Sequence, residues 1–367
     1  MTPSTSRPKR VFLSRFAIAS AATLSVLFVT LSVLELDFRR KETPQIQRIL
    51  AALRRFVLDG QVSGYEGRPH TVYGRPAHFA GRNSLGFNDV EWSVERAKGV
   101  PRIACLGSST TEGGNDFGRE ATFPFLLERA LEARHGRDVE VLNFGLSGWT
   151  SAEELVNWFL SAQDYRPDLV ILHEAANDIY ARNYATFRTD YVHYRKPWAL
   201  PCFGGTTRFV VEHSDLLAWR FAHREPPDLV KMSTRPPGAN AVWDGRSLPL
   251  DTTRAFRRNV LSIARGARDQ GARVVLATVP YAPQHDVDDP RSSGVWRFGM
   301  RQHNEILREL AREEGFILVD LARLVAEHPQ DFQGLFVDLV HLQPEGNRRK
   351  AEEIDRVLAS EWQPPFE

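Results

Sequence analysis

The chain has 367 residues, which is enough for one large α/β domain with additional segments. Hydrophobic residues make up 42% and charged residues 25%, a composition that excludes a mostly disordered chain. The formal net charge of +1 provides no strong positive field, so nucleic acid is not an expected partner. The two cysteines exclude a disulfide-dense scaffold and a multi-cysteine zinc site, and it stays open whether Cys105 and Cys202 pair.

The N-terminus carries a membrane signal. Residues 1–15 form a basic tail, and residues 16–34 contain no charged side chain. A helix of that length rises roughly 30 Å, the thickness of a bilayer core. A cleavable signal peptide is the alternative, but a small-x-small cleavage pattern such as Ala19-Ser20-Ala21 lies too early. We therefore predict a transmembrane helix over 16–34, with the slight basic excess before it placing the rest of the chain outside the cytoplasm.

Residues 35–99 are predicted to be a stalk and a lead-in segment. Apolar side chains recur at helical spacing between residues 44 and 58, which predicts an amphipathic helix. The stretch from 62 to 98 carries short strand-like pieces and turns. This segment connects the membrane signal to the main domain.

A different pattern begins near residue 100 and continues to residue 365. Short apolar runs predict buried strands, and helical patterns alternate with them, which indicates a three-layer α/β/α fold around a central five-stranded, mostly parallel sheet. The predicted strands are 103–106, 139–142, 169–172, 274–278 and 317–319, and the helices lie near 122–134, 152–163, 253–269, 301–314 and 345–359. Residues 179–252, rich in aromatics and proline, break this rhythm and are predicted to be an insertion that serves as a lid or substrate wall.

Three of the predicted strands are followed by small and polar residues. The first leads into Gly107-Ser108-Ser109-Thr110-Thr111, the second reaches Gly148, and the third reaches Asn177. Open parallel sheets bind ligands at the carboxyl ends of their strands, where a hydroxyl, a backbone N–H and an amide can meet. Each of these segments taken alone is also compatible with an ordinary turn or helix cap.

Near the C-terminus, Asp338 and His341 stand three residues apart and can share one face of a turn. A carboxylate in that position can hold one imidazole nitrogen as N–H and leave the other free to act as a base. An isolated Asp–His pair at this spacing is more often a surface interaction. Its position after the last predicted strand places it at the same sheet edge as the other three segments.

Together these four blocks, in this order, resemble the SGNH (GDSL-type) hydrolase superfamily over about residues 100–360. The resemblance implies a flavodoxin-like sheet in which Ser109 is the nucleophile, His341 the general base and Asp338 the residue that orients it. It also implies an oxyanion hole formed by the backbone N–H groups of Ser109 and Gly148 and the side-chain amide of Asn177. No cofactor and no metal are implied, and the acidic loop at 285–289 fits no EF-hand spacing.

The sequence departs from the family pattern in two places. The usual Gly-Asp-Ser is replaced by Gly107-Ser108-Ser109, which leaves a choice between two serines; the alignment of Gly107 and Thr111 favours Ser109. The usual Gly-Gly-Asn-Asp becomes Ala175-Ala176-Asn177-Asp178, which keeps the asparagine. Upstream, residues 83–87 resemble a lead-in found in some bacterial members.

The resemblance implies a serine esterase that hydrolyses an acyl ester, on an O-acetylated glycan, a lipid or a small molecule. With the predicted anchor, it would be a bacterial membrane-anchored enzyme whose catalytic domain is extracytoplasmic. Two alternatives remain open. The same triad could transfer the acyl group to a cell-surface polysaccharide, or the altered Gly-Ser-Ser could mark a catalytically inactive binding protein.

Overall fold

A computed structural model of the protein describes residues 7–59, 61–62, 65–68, 72–113, 118–184, 187–194, 205–224, 250–282 and 293–366. The helices in chain order are α1 (Arg7–Arg40), α2 (Pro44–Asp59), α3 (Ser109–Glu112), α4 (Phe123–His135), α5 (Ser151–Leu160), α6 (Asn177–Arg182), α7 (Gly205–His213), α8 (Asp215–Arg224), α9 (Arg254–Asp269), α10 (Ser293–Glu314), α11 (Leu321–Glu327) and α12 (Pro344–Glu361). The strands are β1 (Gln61–Val62), β2 (Tyr65–Arg68), β3 (Val72–Gly74), β4 (Arg102–Gly107), β5 (Glu140–Gly145), β6 (Leu169–His173), β7 (Arg273–Ala277) and β8 (Ile317–Val319). The chain divides into two compact units, one formed by Met1–Ser63 with Leu200–Val230 and the other by Gly64–Ala199 with Lys231–Glu367.

The first unit is helical. The apolar face of α2 buries Leu50 and Leu53 against Val211 of α7 and Ala218 of α8. Asp215, at the start of α8, forms salt bridges with Arg39 at 2.8 Å and with Arg54. The amphipathic helix predicted over 44–58 is therefore present, and α7 and α8, which lie within the 179–252 insertion, pack against it.

Helix α1 runs through the predicted transmembrane segment 16–34. None of the helices among the described residues, however, combines the length and the apolarity that crossing a membrane requires. The structure thus does not support the predicted transmembrane helix. Large apolar side chains in the second half of α1 are nevertheless exposed, namely Val26, Leu27, Phe28, Val29, Leu31, Val33, Leu34 and Leu36.

The second unit contains the predicted five-stranded sheet. Its strand order is β5-β4-β6-β7-β8, and every neighbouring pair is parallel. Side chains alternate between the two faces, so that Leu106 packs with α5, α9 and α10 on one side while Ile103 packs with α4 and α12 on the other. A parallel sheet with both faces covered is the α/β/α arrangement expected from the sequence.

Several element boundaries differ from prediction. Helix α10 begins at Ser293 rather than near 301, and the helix expected over 152–163 ends at Leu160 and is followed by a short 3₁₀ turn. The disulfide question is answered for one cysteine, because Cys105 lies buried in β4 as a free thiol. Cys202 and the acidic loop at 285–289 lie outside the described residues.

The register of the central strands brings the candidate site together. In β4, Gly107 pairs with Gly145 of β5 and with His173 of β6. These three strands consequently end side by side. The residues that follow them start from one edge of the sheet.

Candidate active site

Ser109 is the first residue of α3 and follows the end of β4 closely. Its hydroxyl oxygen lies 2.6 Å from Nε2 of His341, which is 232 positions away in sequence. Ser108, the other serine considered from the sequence, is only 1% exposed. Of the two serines, Ser109 is therefore the one that the fold places beside an imidazole.

The loop before α12 holds His341 and Asp338. Nδ1 of His341 lies 2.7 Å from Oδ2 of Asp338, while Oδ1 accepts hydrogen bonds from the backbone N–H groups of Val340 and His341. An isolated antiparallel bridge between Phe336 and Leu342 closes this loop. The predicted three-residue spacing thus becomes a tight turn that aims the imidazole at Ser109.

The charge of Asp338 suits this arrangement. Burial opposes ionisation, but the hydrogen bond and the charge interaction with His341 and the backbone N–H bonds together lower the pKa of Asp338 to about 2. The group is therefore a carboxylate at neutral pH. A carboxylate in this position can hold a neutral imidazole with Nδ1 protonated, which would leave the unprotonated Nε2 facing the hydroxyl of Ser109.

Two of the predicted oxyanion residues, Gly148 and Asn177, lie close together. Asn177 begins α6, and its Nδ2 donates to the carbonyl of Trp149 at 2.8 Å. Trp149 directly follows Gly148, whose φ of +80° is the left-handed conformation that favours glycine. An amide nitrogen carries two hydrogens, so this bond leaves the second one for another acceptor.

Helix α3 links these two groups of residues. A Cβ atom at Gly145, the last residue of β5, would lie 2.3 Å from the backbone nitrogen of Glu112. No side chain fits at that distance, so glycine permits the helix of Ser109 to rest against the end of β5. The structure therefore joins Ser109 to the loop that carries Gly148 through backbone packing.

Sequence reasoning missed a group of buried carboxyls beside Asn177. Burial raises the pKa of Glu174 to about 8, with the nearby charge of Asp178 adding to the effect, and burial also raises the pKa values of Glu154 and Asp178. Glu174 accepts a hydrogen bond from the backbone N–H of Asn177 at 3.3 Å. The signal available in the sequence was the pair of acids, Glu174 and Asp178, that bracket Asn177.

Part of the 35–99 stretch also reaches the site, which the sequence did not indicate. Asn83 uses Oδ1 to accept the N–H groups of Leu85 and Phe87, which forms a compact turn. Asn88 then donates to the carbonyl of Glu112 at 2.9 Å. Residues 72–92, which we call the lead-in segment from here on, thus contact the helix that begins with Ser109.

No group of three or more histidine, cysteine, aspartate or glutamate side chains is arranged to hold a metal ion within the described part of the chain. The chemistry available at the site is that of an alcohol, an imidazole, a carboxylate and several N–H donors.

The chain matches the sequence pattern of the GDSL-like Lipase/Acylhydrolase family over residues 105–349. This match covers more than half of the chain, so the protein belongs to that family. The family membership supports an ester-hydrolysing enzyme. No curated protein matches the chain.

Solved structures to which the chain is similar include a lipase/acylhydrolase from Enterococcus faecalis, at 16% identity and a TM-score of 0.45; the similarity covers 72% of this chain and 98% of that one. A variant of an acetylxylan esterase from Geobacillus stearothermophilus has 15% identity and a TM-score of 0.45, with coverage of 73% and 98%. Similarities at this level carry no argument about the substrate.

Proposed function

We propose that the protein is a serine esterase that hydrolyses an acyl ester, with Ser109 as nucleophile, His341 as general base and Asp338 as the group that orients and stabilises the imidazole. The observation that carries the proposal is the continuous hydrogen-bonded line from Ser109 through His341 to Asp338, at 2.6 and 2.7 Å. A hydroxyl is a weak nucleophile until a base removes its proton, and this line supplies that base.

In the proposed reaction, Oγ of Ser109 bonds to the ester carbonyl carbon while its proton moves to Nε2 of His341. The carbonyl π-electrons move to the carbonyl oxygen. The carboxylate of Asp338 stabilises the imidazolium that His341 has become. Collapse of this intermediate expels the alcohol, which takes the proton from His341, and leaves an acyl-enzyme. Water then gives a proton to Nε2 of His341 as its oxygen bonds to the acyl carbon; the bond from that carbon to Oγ breaks, Ser109 takes the proton back, and the acid is released.

The negative oxygen of the tetrahedral intermediate needs fixed donors. We assign these to the backbone N–H groups of Ser109 and Gly148 and to the second amide hydrogen of Asn177. Such donors are preorganised, so they cost no rearrangement when charge develops.

The substrate class we favour is an ester of a small molecule or an O-acetylated glycan, with lipid esters as the alternative. Tyr180 lies one helical turn after Asn177 and is 47% exposed, and its ring meets that of Trp296 edge-on at 4.8 Å. An exposed aromatic face beside an active site suits the apolar face of a sugar ring. Rates on an acetylated oligosaccharide and on a long-chain acylglycerol distinguish the two classes.

The decisive experiment is Ser109→Ala in the purified protein, measured on a small acetyl ester. We expect kcat/KM to fall at least about 1000-fold, since removing the nucleophile leaves only binding and oxyanion stabilisation. Ser108→Ala is the matched control and should retain most activity. Full activity in Ser109→Ala would overturn the proposal, and free acid as the only product in the presence of a glycan acceptor would favour hydrolysis over acyl transfer.

We also propose that α1 anchors the protein in a membrane, with the catalytic unit outside the cytoplasm. The proposal rests on the uncharged run at 16–34 and on the exposed apolar side chains between Val26 and Leu36. The full chain should stay with membranes after an alkaline wash, and a chain lacking residues 1–41 should not. Recovery of the full chain in the soluble fraction would contradict the anchor.

A further inference from the structure

Glu112 is a buried carboxylate that the proposed reaction does not use. It is 1% exposed and ends the short helix that Ser109 begins. Its Oε1 accepts hydrogen bonds from Arg82, at 2.7 and 3.2 Å, and from Nε of Arg75 at 3.3 Å. Its Oε2 accepts the backbone N–H of Ser147 at 2.8 Å and also the hydroxyl of Ser147.

These contacts span the candidate active site. Ser147 directly precedes Gly148, so the side chain of Glu112 connects the helix of the nucleophile to the loop of a proposed oxyanion donor. Oε1 of Glu112 contacts the two arginines, and Oε2 contacts Ser147. A carboxylate accepts bonds on both oxygens and carries no hydrogen to donate, which fits the donors that Arg75, Arg82 and Ser147 present to it.

A second contact fixes the orientation of the same loop. The hydroxyl of Tyr73 donates to the carbonyl of Ser147 at 3.1 Å. That carbonyl shares a peptide plane with the N–H of Gly148, and in a trans peptide the two point in opposite directions. The hydrogen bond from Tyr73 to the Ser147 carbonyl therefore sets the direction in which the Gly148 N–H points.

The residues that hold Glu112 and Ser147 from outside come from one stretch of the chain. Tyr73, Arg75 and Arg82 all belong to the lead-in segment, and each is less than a tenth exposed. Because these groups are almost fully shielded from solvent, an unpaired charge among them is strongly disfavoured. The carboxylate and the guanidinium groups therefore hold one another in place.

We propose that Glu112 is a positioning residue for the oxyanion hole: clamped by the arginines of the lead-in segment, it fixes Ser147 so that the N–H of Gly148 faces the developing oxyanion. The inference rests on the proposed function, because it requires Gly148 to be an oxyanion donor. It makes the lead-in segment, which lies before the family match at 105–349, a working part of the active site.

The test is Glu112→Gln in the full chain. If the amide oxygen stays with Arg82, the amide NH₂ replaces the acceptor that Ser147 needs, and the loop shifts. We expect kcat on a small acetyl ester to fall about 10- to 100-fold with little change in KM, since a misplacement of about 1 Å can cost that much. Oγ of Ser109 adds to the carbonyl carbon of a trifluoromethyl ketone and forms a tetrahedral oxyanion. The affinity for such a ketone should therefore fall by the same factor as kcat/KM.

Two further variants separate positioning from general destabilisation. Glu140→Gln is the matched control, because Glu140 pairs with the buried Arg102 at 2.6 Å at the opposite end of the sheet. It should lower Tm while leaving kcat and ketone affinity unchanged. Tyr73→Phe removes only the hydroxyl that holds the Ser147 carbonyl, and it should lower kcat and ketone affinity together; this variant decides the matter if Glu112→Gln does not fold.

The outcomes are distinguishable from failure of the proposed function. If the unaltered protein depends on Ser109 but Glu112→Gln and Tyr73→Phe keep full kcat and ketone affinity, the inference is wrong and the function stands. A fall in kcat without a matching fall in ketone affinity would also overturn it. If Ser109→Ala retains full esterase activity, the proposed function itself fails.

Discussion

The two sides of the candidate site are built differently. On one side, His341 and Asp338 lie in a surface loop, with 30% and 52% of their side-chain surfaces exposed. On the other side, Ser147, Glu112 and Glu174 are all less than a tenth exposed, and Ser147 donates its backbone N–H and its hydroxyl to Glu112. The groups proposed to react are thus accessible to substrate, whereas the groups that hold the donor loops are enclosed.

This difference follows from what each side must do. A base and a nucleophile must meet substrate and exchange protons with it, so they need access. Oxyanion donors must not move when charge develops, and burial in a closed hydrogen-bond network gives that rigidity. Substitutions on the exposed side should therefore remove chemistry with little loss of stability, and substitutions on the buried side should affect both.

The largest effect we expect on the exposed side, beyond loss of Ser109 itself, comes from Asp338→Asn. Two backbone N–H groups hold Oδ1, so the asparagine oxygen should stay there and its NH₂ should face Nδ1 of His341. The imidazole would then be held in the wrong tautomer, with Nε2 protonated and unable to accept the proton of Ser109. We expect kcat at pH 7 to fall about 10³- to 10⁴-fold.

The measurement is kcat on a small acetyl ester together with Tm. Asp331→Asn, an exposed acid in the preceding 3₁₀ turn, serves as the control. A loss below about tenfold in Asp338→Asn would show that Asp338 does not set the tautomer, and an equal loss in both variants would indicate a general effect on the loop.

A smaller effect is expected from Asn177→Ala, on the side of the site that carries the proposed oxyanion donors. It removes one proposed oxyanion donor and also the bond to the carbonyl of Trp149. Loss of a single such donor costs about 100- to 1000-fold in kcat. Asn183→Ala, at the other end of α6, is the control and should change kcat less than twofold; a similar small change in Asn177→Ala would remove Asn177 from the oxyanion hole.

The same contrast explains what could be predicted from the sequence. The alternation of strands and helices predicted the parallel sheet, because buried strands must be apolar on both faces. The turns at Ser109, Asn177 and His341 stood out because polar residues follow apolar runs there. In the proposed reaction their side chains act directly, so their chemistry is visible in the residue type.

The supporting residues were not predictable in this way. Glu112 and Arg82 are charged residues that look like surface positions in the sequence, and only the fold shows that they are buried together. Their pairing depends on a lead-in segment whose turns have no helical or strand period. Charged residues are seldom fully buried unless paired, and pairing across about 30 positions leaves no local pattern.

The smallest predicted effect concerns pH-dependent stability and tests the buried carboxyls directly. Glu174 titrates near its ordinary value of 4.5 when unfolded, and burial raises its pKa to about 8 when folded. Unfolding between these values releases a proton, so the stabilising contribution is complete below pH 4.5 and is lost as pH rises through 8.

Glu174→Gln cannot ionise, so its unfolding free energy should fall less between pH 5 and pH 8 than that of the unaltered protein. A change of ~1 kcal/mol in unfolding free energy corresponds to about 2–4 °C in Tm for a domain of this size. We expect the pH-dependent losses of the two proteins to differ by an amount of that order. Lys350, whose pKa burial lowers to about 7, acts in the opposite direction above pH 7 but is present in both proteins and cancels. Glu361→Gln, an exposed acid at the end of α12, should leave the pH dependence unchanged. If Glu174→Gln shows the same loss of stability with pH as the unaltered protein, Glu174 is already ionised in the folded state, and the buried side of the site holds a charge where we place a proton.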